Sequence, residues 1–171
     1  MREYLLVDGY NIIFAWPELK KQADENLEAA RYRLADMLCN YQGYKNIGVI
    51  LIFDGYKSKG NEGSVFRYHN IDIVYTREAQ TADNFIELVT QQMGRKVNIR
   101  VATSDGLEQV IILGKGAARM SARELKMEID KTEKLIRKDL EEHHSTHSNS
   151  IMDNLPEDVA QMLEMMRQGD M

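Results

Sequence analysis

The sequence predicts an α/β fold: a central, mostly parallel sheet covered by helices on both faces, followed by a C-terminal helical tail. Three observations carry this reading. Runs rich in Val and Ile recur at 4–7, 47–53, 71–75 and 97–102, and they stay apolar through consecutive positions rather than alternating. Helical periodicity fills the intervals between them. Three of the runs end in the same dipeptide, Asp-Gly.

The first run leads from Met1-Arg2-Glu3 straight into an apolar, strand-like stretch of about ten residues with Asp8 and Asn11 in its middle, which the core of a signal peptide would not tolerate; the expected location is cytoplasmic. Leu27, Arg31, Leu34, Leu38 and Tyr41 then recur at helical spacing, with Ala30, Ala35 and Met37 widening the stripe. After the second run, residues 57–64 (KSKGNEGS) are polar, contain Gly and begin basic, as a loop does. The pattern of Phe85, Leu88 and Val89 predicts a helix over 81–93. Another helix is expected to start after Ser104-Asp105-Gly106, and a long charged one to run over 121–142. Residues 143–154 read as a linker, since HHSTHSN at its start is polar and Ser-rich. His143 and His147 stand one turn apart there, without acidic or Cys partners at metal spacing, and suit a solvated hinge. Leu155, Val159, Met162, Leu163 and Met166 form one stripe, which predicts a short amphipathic helix over 155–171. It either docks on the body or, being Met-rich and adaptable, meets a partner. The domain expected to carry function is 1–142.

At 171 residues the chain suits one compact domain. No run approaches the roughly 18 apolar residues of a membrane span. The single cysteine, Cys39, leaves no internal disulfide and no Cys-based zinc site. The formal charge is −5, from 22 basic and 27 acidic residues, which by itself speaks against a nucleic-acid partner. Position changes that conclusion: eight acids and one base fall in 139–171, leaving 21 bases and 19 acids, or +2, for the body. Residues 115–138 alone hold eight bases against four acids, either a solvated helix face or a phosphate-binding stripe.

The chemistry lies in the strand ends, where Asp8-Gly9, Asp54-Gly55 and Asp105-Gly106 follow three of the apolar runs. Each Asp-Gly alone is ordinary turn chemistry. In an open parallel sheet, however, ligands bind beyond the carboxyl ends of the strands, where such acids can converge. Asp83, near the start of the helix after the third run, is a fourth candidate, with Glu87 one turn later on the same face. Carboxylates about 4 Å apart repel by roughly 4 kcal/mol at an effective dielectric near 20, so a cluster needs protons or a cation. Oxygen ligands without nearby Cys or His select Mg²⁺ or Mn²⁺. Alternatives fit less well: no GxGxxG, GxxxxGK[ST] or GxSxG motif is present, and Asp8-Gly9-Tyr10 lacks the second Asp of a phosphoaspartyl phosphatase.

LLVDGYNII at 5–13, ILIFDGY at 50–56, TADNFIE at 81–87, VATSDGLEQ at 101–109 and GAARMSARELKMEI at 116–129 together resemble the YacP-like branch of the NYN domains, relatives of the PIN nucleases. The resemblance covers about 3–135. It implies a PIN-like three-layer α/β/α fold and a metal-dependent endoribonuclease that leaves a 5′-phosphate and a 3′-hydroxyl. It also implies messenger RNA as substrate and the translating ribosome as partner. Carried over by position, the acidic site falls on Asp8, Asp83 and Asp105, with Asp54 as a further member; Asn11 orients Asp8 or a bound phosphate, and Ser104 precedes the last acid. Lys57, Lys59, Arg119 and Arg123 are candidates for phosphate contacts. Tyr10 and Tyr56, each just past an acid, either stack on unpaired bases or pack at the sheet edge. The competing expectation is a catalytically silent RNA- or ribosome-binding adaptor. Clustered acids argue against it, because a binding module gains nothing from anions facing a polyanion.

Overall fold

The computed structural model describes residues 2–55, 62–93, 96–106 and 116–146. The chain divides into two compact units, Met1–Glu133 and Lys134–Met171. In the first, the described strands are β1 (Glu3–Asp8), β2 (Gly48–Phe53), β3 (Ser64–Tyr68), β4 (Ile71–Tyr75), β5 (Asn98–Ala102) and β6 (Ala118–Met120). The described helices are α1 (Gly9–Ala15), α2 (Pro17–Glu25), α3 (Leu27–Lys45), α4 (Ala82–Met93) and α5 (Ala122–Thr146), the last running on into the second unit.

The strands form one sheet in the order β3-β4-β2-β1-β5-β6. All neighbours are parallel except β3, which pairs antiparallel with β4. The four expected strands are β1, β2, β4 and β5. Alternate residues of β1 feed two separate cores: Leu5 and Val7 pack with α1, α2, α3 and the start of α5, whereas Leu6 packs with Ile52, Val101 and the α4 residues Ala82 and Ile86. Burial on both faces is why these strands read as unbroken apolar runs.

Local signals fix the helices. Asn26 caps α3 by accepting from Ala29 N at 3.1 Å, and Asn46, in the left-handed region, ends it. Ser121 and Glu124 form a reciprocal capping box at the start of α5, with Ser121 Oγ accepting from Glu124 N at 3.1 Å and Glu124 Oε2 accepting from Ser121 N at 2.6 Å. Trp16, buried between α1 and α2, donates from its indole N–H to the Ala122 carbonyl at 2.8 Å and ties α5 to the body.

The structure differs from the sequence reading in several places. The apolar sequence after Asp8 is helix, not continued strand, and Ile12 and Ile13 bury a face of α1. Helix α2 and strands β3 and β6 were not anticipated: β3 is exposed over most of its length and β6 spans three residues, so neither shows a burial pattern. Helix α5 passes the expected end at Glu142 and reaches Thr146, so the first residues of the expected linker are helical. The remainder of that linker, the helix expected over 155–171 and most of the helix expected after Gly106 lie outside the described residues. In the second unit, Lys138 and Glu142 form an exposed i,i+4 pair at 3.9 Å. No described helix is long and apolar enough to cross a membrane.

Candidate active site

The strand order reverses beside β1. From β1 the chain steps through β2 to β4 on one side, then returns to β5 and β6 on the other, so the crevice of the topological switch opens between the carboxyl ends of β1 and β5. Asp8 closes β1 and Thr103-Ser104-Asp105 follows β5. The neighbouring β2 leads into Asp54, and Arg119 on β6 stands in register with Val101. Parallel pairing thus brings residues far apart in sequence to one edge.

Gly9 lets the chain turn directly from β1 into α1. A Cβ there would lie 2.4 Å from the Phe53 ring and 3.0 Å from the Ile52 carbonyl, so no larger residue follows Asp8 without displacing β2. Asp8 itself is only 5% exposed. Its side chain does not cap α1; instead Oδ2 accepts from Asn11 Nδ2 at 3.2 Å. Asp83, in the first turn of α4, faces it across the crevice. Burial, then the charge of Asp83 and a hydrogen bond to it, push the Asp8 carboxyl up from 3.8 to about 7, against the lowering effect of Asn11. At neutral pH the Asp8 carboxyl therefore stands between its protonated and ionised forms. Asn11 also reaches across the switch point: its Oδ1 accepts from Ser104 N at 3.2 Å and from the Ser104 hydroxyl, locking the end of β5 to α1.

The other acids are held by backbone contacts that the sequence did not reveal. Thr76, buried at the end of β4, accepts from Gly55 N at 2.9 Å and donates to the Gln80 carbonyl at 2.7 Å, while its own N–H bonds the Phe53 carbonyl at 3.0 Å. One hydroxyl thus joins the turn after Asp54 to the loop that delivers Asp83. Thr81 continues that path by accepting from Asn84 N at 3.2 Å at the start of α4. On the other side, buried Thr103 accepts from Asp105 N at 3.1 Å. A Thr at a strand end looks like any other strand residue, so no local pattern marks these two.

Among the described residues, no three His, Cys, Asp or Glu side chains gather closely enough to hold a metal ion. Of the expected acids, Asp8 and Asp83 interact as a close pair, and Asp54 and Asp105 lie at the same edge of the sheet. The pair still fits Mg²⁺ or Mn²⁺, because such ions are commonly held by one or two carboxylates with the remaining positions left to water and phosphate. A site that already draws in a proton at neutral pH is one that a cation can occupy in its place.

Tyr10 is used structurally. Its ring packs at 5.0 Å from that of Phe53, and its hydroxyl accepts from Arg31 Nη1 at 3.1 Å. Packing at the sheet edge, one of the two expected readings, is what its contacts support. Arg119 and Arg123 are exposed beside the carboxyl end of the sheet, on β6 and in the first turn of α5. Glu87 lies one turn beyond Asp83 on α4 and is half-buried. Tyr56, Lys57 and Lys59 lie outside the described residues.

The family model of the YacP-like NYN domain matches residues 5–168. The sequence is 38% identical to YacP of Bacillus subtilis (strain 168) over 170 residues, 99% of each chain. Two crystal structures of Rae1 (YacP) from Bacillus subtilis are similar, both at 37% identity. One, of a mutant, has a TM-score of 0.74 and matches 85% of this chain and 86% of its own. The other has a TM-score of 0.73 and matches 98% and 95%.

Proposed function

The chain belongs to the YacP-like NYN domain family, and from that premise we propose that it is a metal-dependent endoribonuclease acting in the cytoplasm. It cuts single-stranded messenger RNA on the translating ribosome and leaves a 5′-phosphate and a 3′-hydroxyl. The NYN domain is a branch of the PIN-like nucleases and the fold is nuclease-like. The observation that carries the rest is the buried Asp8 facing Asp83 at the switch point of the sheet, with its carboxyl raised to about 7.

Asp8 and Asp83 are the proposed ligands of Mg²⁺ or Mn²⁺, with Asp105 and Asp54 at the rim of the same edge. When bound, the ion would supply electrostatic stabilisation of the scissile phosphate and of a nucleophilic water. The chain's own residues prepare the site. Asn11 fixes one oxygen of Asp8 and binds Ser104, so that the ends of β1 and β5 hold a constant spacing. Thr76 holds the loop that presents Asp83. An ion held there would favour the ionised form of Asp8, so its binding would be coupled to proton release. Arg119 and Arg123 are placed to contact phosphates flanking the cut, where charge fixes the strand without reading its sequence. With a second body presenting the RNA, few such contacts are needed, which accords with a nearly neutral body.

The test is cleavage of a translated messenger by purified protein with ribosomes and Mn²⁺, comparing the parent with Asp8→Asn and Asp83→Asn. Cleavage by the parent with loss in both variants is expected. Equal cutting by the variants would refute the acidic mechanism, and a parent that co-sediments with ribosomes without cutting would favour the adaptor.

A further inference from the structure

An aromatic ladder climbs from the core to the surface beside the acid pair. Buried Phe53 supports the Tyr10 ring at 5.0 Å, and Tyr10 in turn supports Phe14 at 6.4 Å with the two planes 29° apart. Arg31 pins the Tyr10 hydroxyl at 3.1 Å, so the middle rung is fixed. The top rung is not covered: Phe14 is 51% exposed although Ile12 and Ile13 just before it on the same helix are fully buried. Next to it an open recess of about 340 Å³ is lined by Tyr10, Asn11, Phe14, Ala15 and Ser104. Asn11 links the recess to the acid pair, because it lines the one and bonds Asp8 of the other.

We infer that Phe14 is a stacking platform for one unpaired nucleobase of an RNA strand whose adjoining phosphate lies at Asp8 and Asp83. This rests on the ribonuclease reading and adds a base subsite to it. The occupant follows from the chemistry of the recess. A rigid, exposed π-face suits a flat aromatic ring, and on the ribonuclease reading the neighbouring acids would hold the cation that meets the strand's phosphate. The polar groups on its wall are turned to one another: Asn11 donates to Asp8 and accepts from Ser104 N and its hydroxyl, and the Tyr10 hydroxyl accepts from Arg31. The subsite therefore holds a base by its face and tolerates any of the four, since every base has a π-face while its edge finds few partners among the described residues.

The experiment is fluorescence anisotropy of a 5′-fluorescein single-stranded RNA heptamer with the full chain, in the Asp8→Asn background so that nothing is cut. Phe14→Ala and Phe14→Leu should each weaken binding roughly 5- to 100-fold, and Phe14→Trp should retain it. An abasic nucleotide at one position should reproduce that loss in the Asp8→Asn protein and add nothing to Phe14→Ala, while exchanging the base there should change little. Unaltered melting of the half-exposed Phe14 variants separates this from misfolding. The inference is overturned if Phe14→Ala binds like its parent, if base identity at that position governs affinity, or if the heptamer fails to bind at all. RNA binding that depends on Phe14 in a protein that never cuts would sink the ribonuclease reading and leave the platform standing. Cleavage unaffected by Phe14→Ala would do the reverse.

Discussion

Asp8→Asn replaces a buried acid by an amide that still accepts from Asn11 and donates to Asp83, so the shape of the site is kept and only its titration is lost. In the parent, the rise of the Asp8 carboxyl from 3.8 to about 7 corresponds to on the order of 4 kcal/mol between its protonated and ionised forms. The direction follows from linkage. Below 3.8 the folded and unfolded chains both hold the proton, between 3.8 and about 7 only the folded chain does, and above that neither does. The stabilisation is therefore fully present in acid and is lost as the pH rises through about 7. Roughly 3 kcal/mol of it falls between pH 5 and pH 8. Urea unfolding of both proteins in EDTA at those two pH values reads this directly: Asp8→Asn should gain on the parent by about that amount at the higher pH. At pH 8, Mn²⁺ should then stabilise the parent, by about 2.7 kcal/mol at a hundred times Kd, and leave Asp8→Asn nearly unchanged. A stability difference that stays constant from pH 5 to 8 would mean that Asp8 is ionised in the fold, and its raised carboxyl would have to be abandoned.

Other perturbations report on the framework. Thr76→Val leaves the Gly55 N–H and the Gln80 carbonyl without their partner and should cost about 1–3 kcal/mol, with cleavage reduced well beyond that of Thr76→Ser; thermal melts and initial rates distinguish this from indifference to the hydroxyl. Gly9→Ala drives a methyl into the Phe53 ring and should cost about 1–3 kcal/mol in chemical denaturation, whereas an unchanged midpoint would show that β2 gives way freely. Trp16→Phe removes the buried bond to the Ala122 carbonyl and should lower stability by about 1–3 kcal/mol, measured by calorimetry; parental stability would show that the bond contributes nothing.

How much could be read without coordinates depended on whether the information was local. Four buried strands were legible because burial on both faces leaves an unbroken apolar run, and helix α3 was legible because one buried face repeats at helical spacing. Helix α1 was not, since Ile12 and Ile13 after Val7 look the same whether the backbone continues extended or turns at Gly9. The edge strand β3 carries no burial signal, as most of it faces solvent. In the candidate site, Asp8, Asp54, Asp83 and Asp105 could be named from their places at strand and helix ends. Thr76 could not, because its role lies in bonds to Gly55 and Gln80 rather than in any pattern around it.

The amino-acid order by itself determined the layered α/β class, the Asp-Gly strand endings and the family, because periodicity and motif are properties of neighbouring residues. Only the tertiary structure decided that Asp8 meets Asp83 in a close pair, that Asn11 bridges to Ser104 across the switch point, and that Phe14 stays uncovered beside them. Those facts follow from the order in which parallel strands pair and from how burial changes the energy of a charge, and both are set by residues distant in the chain.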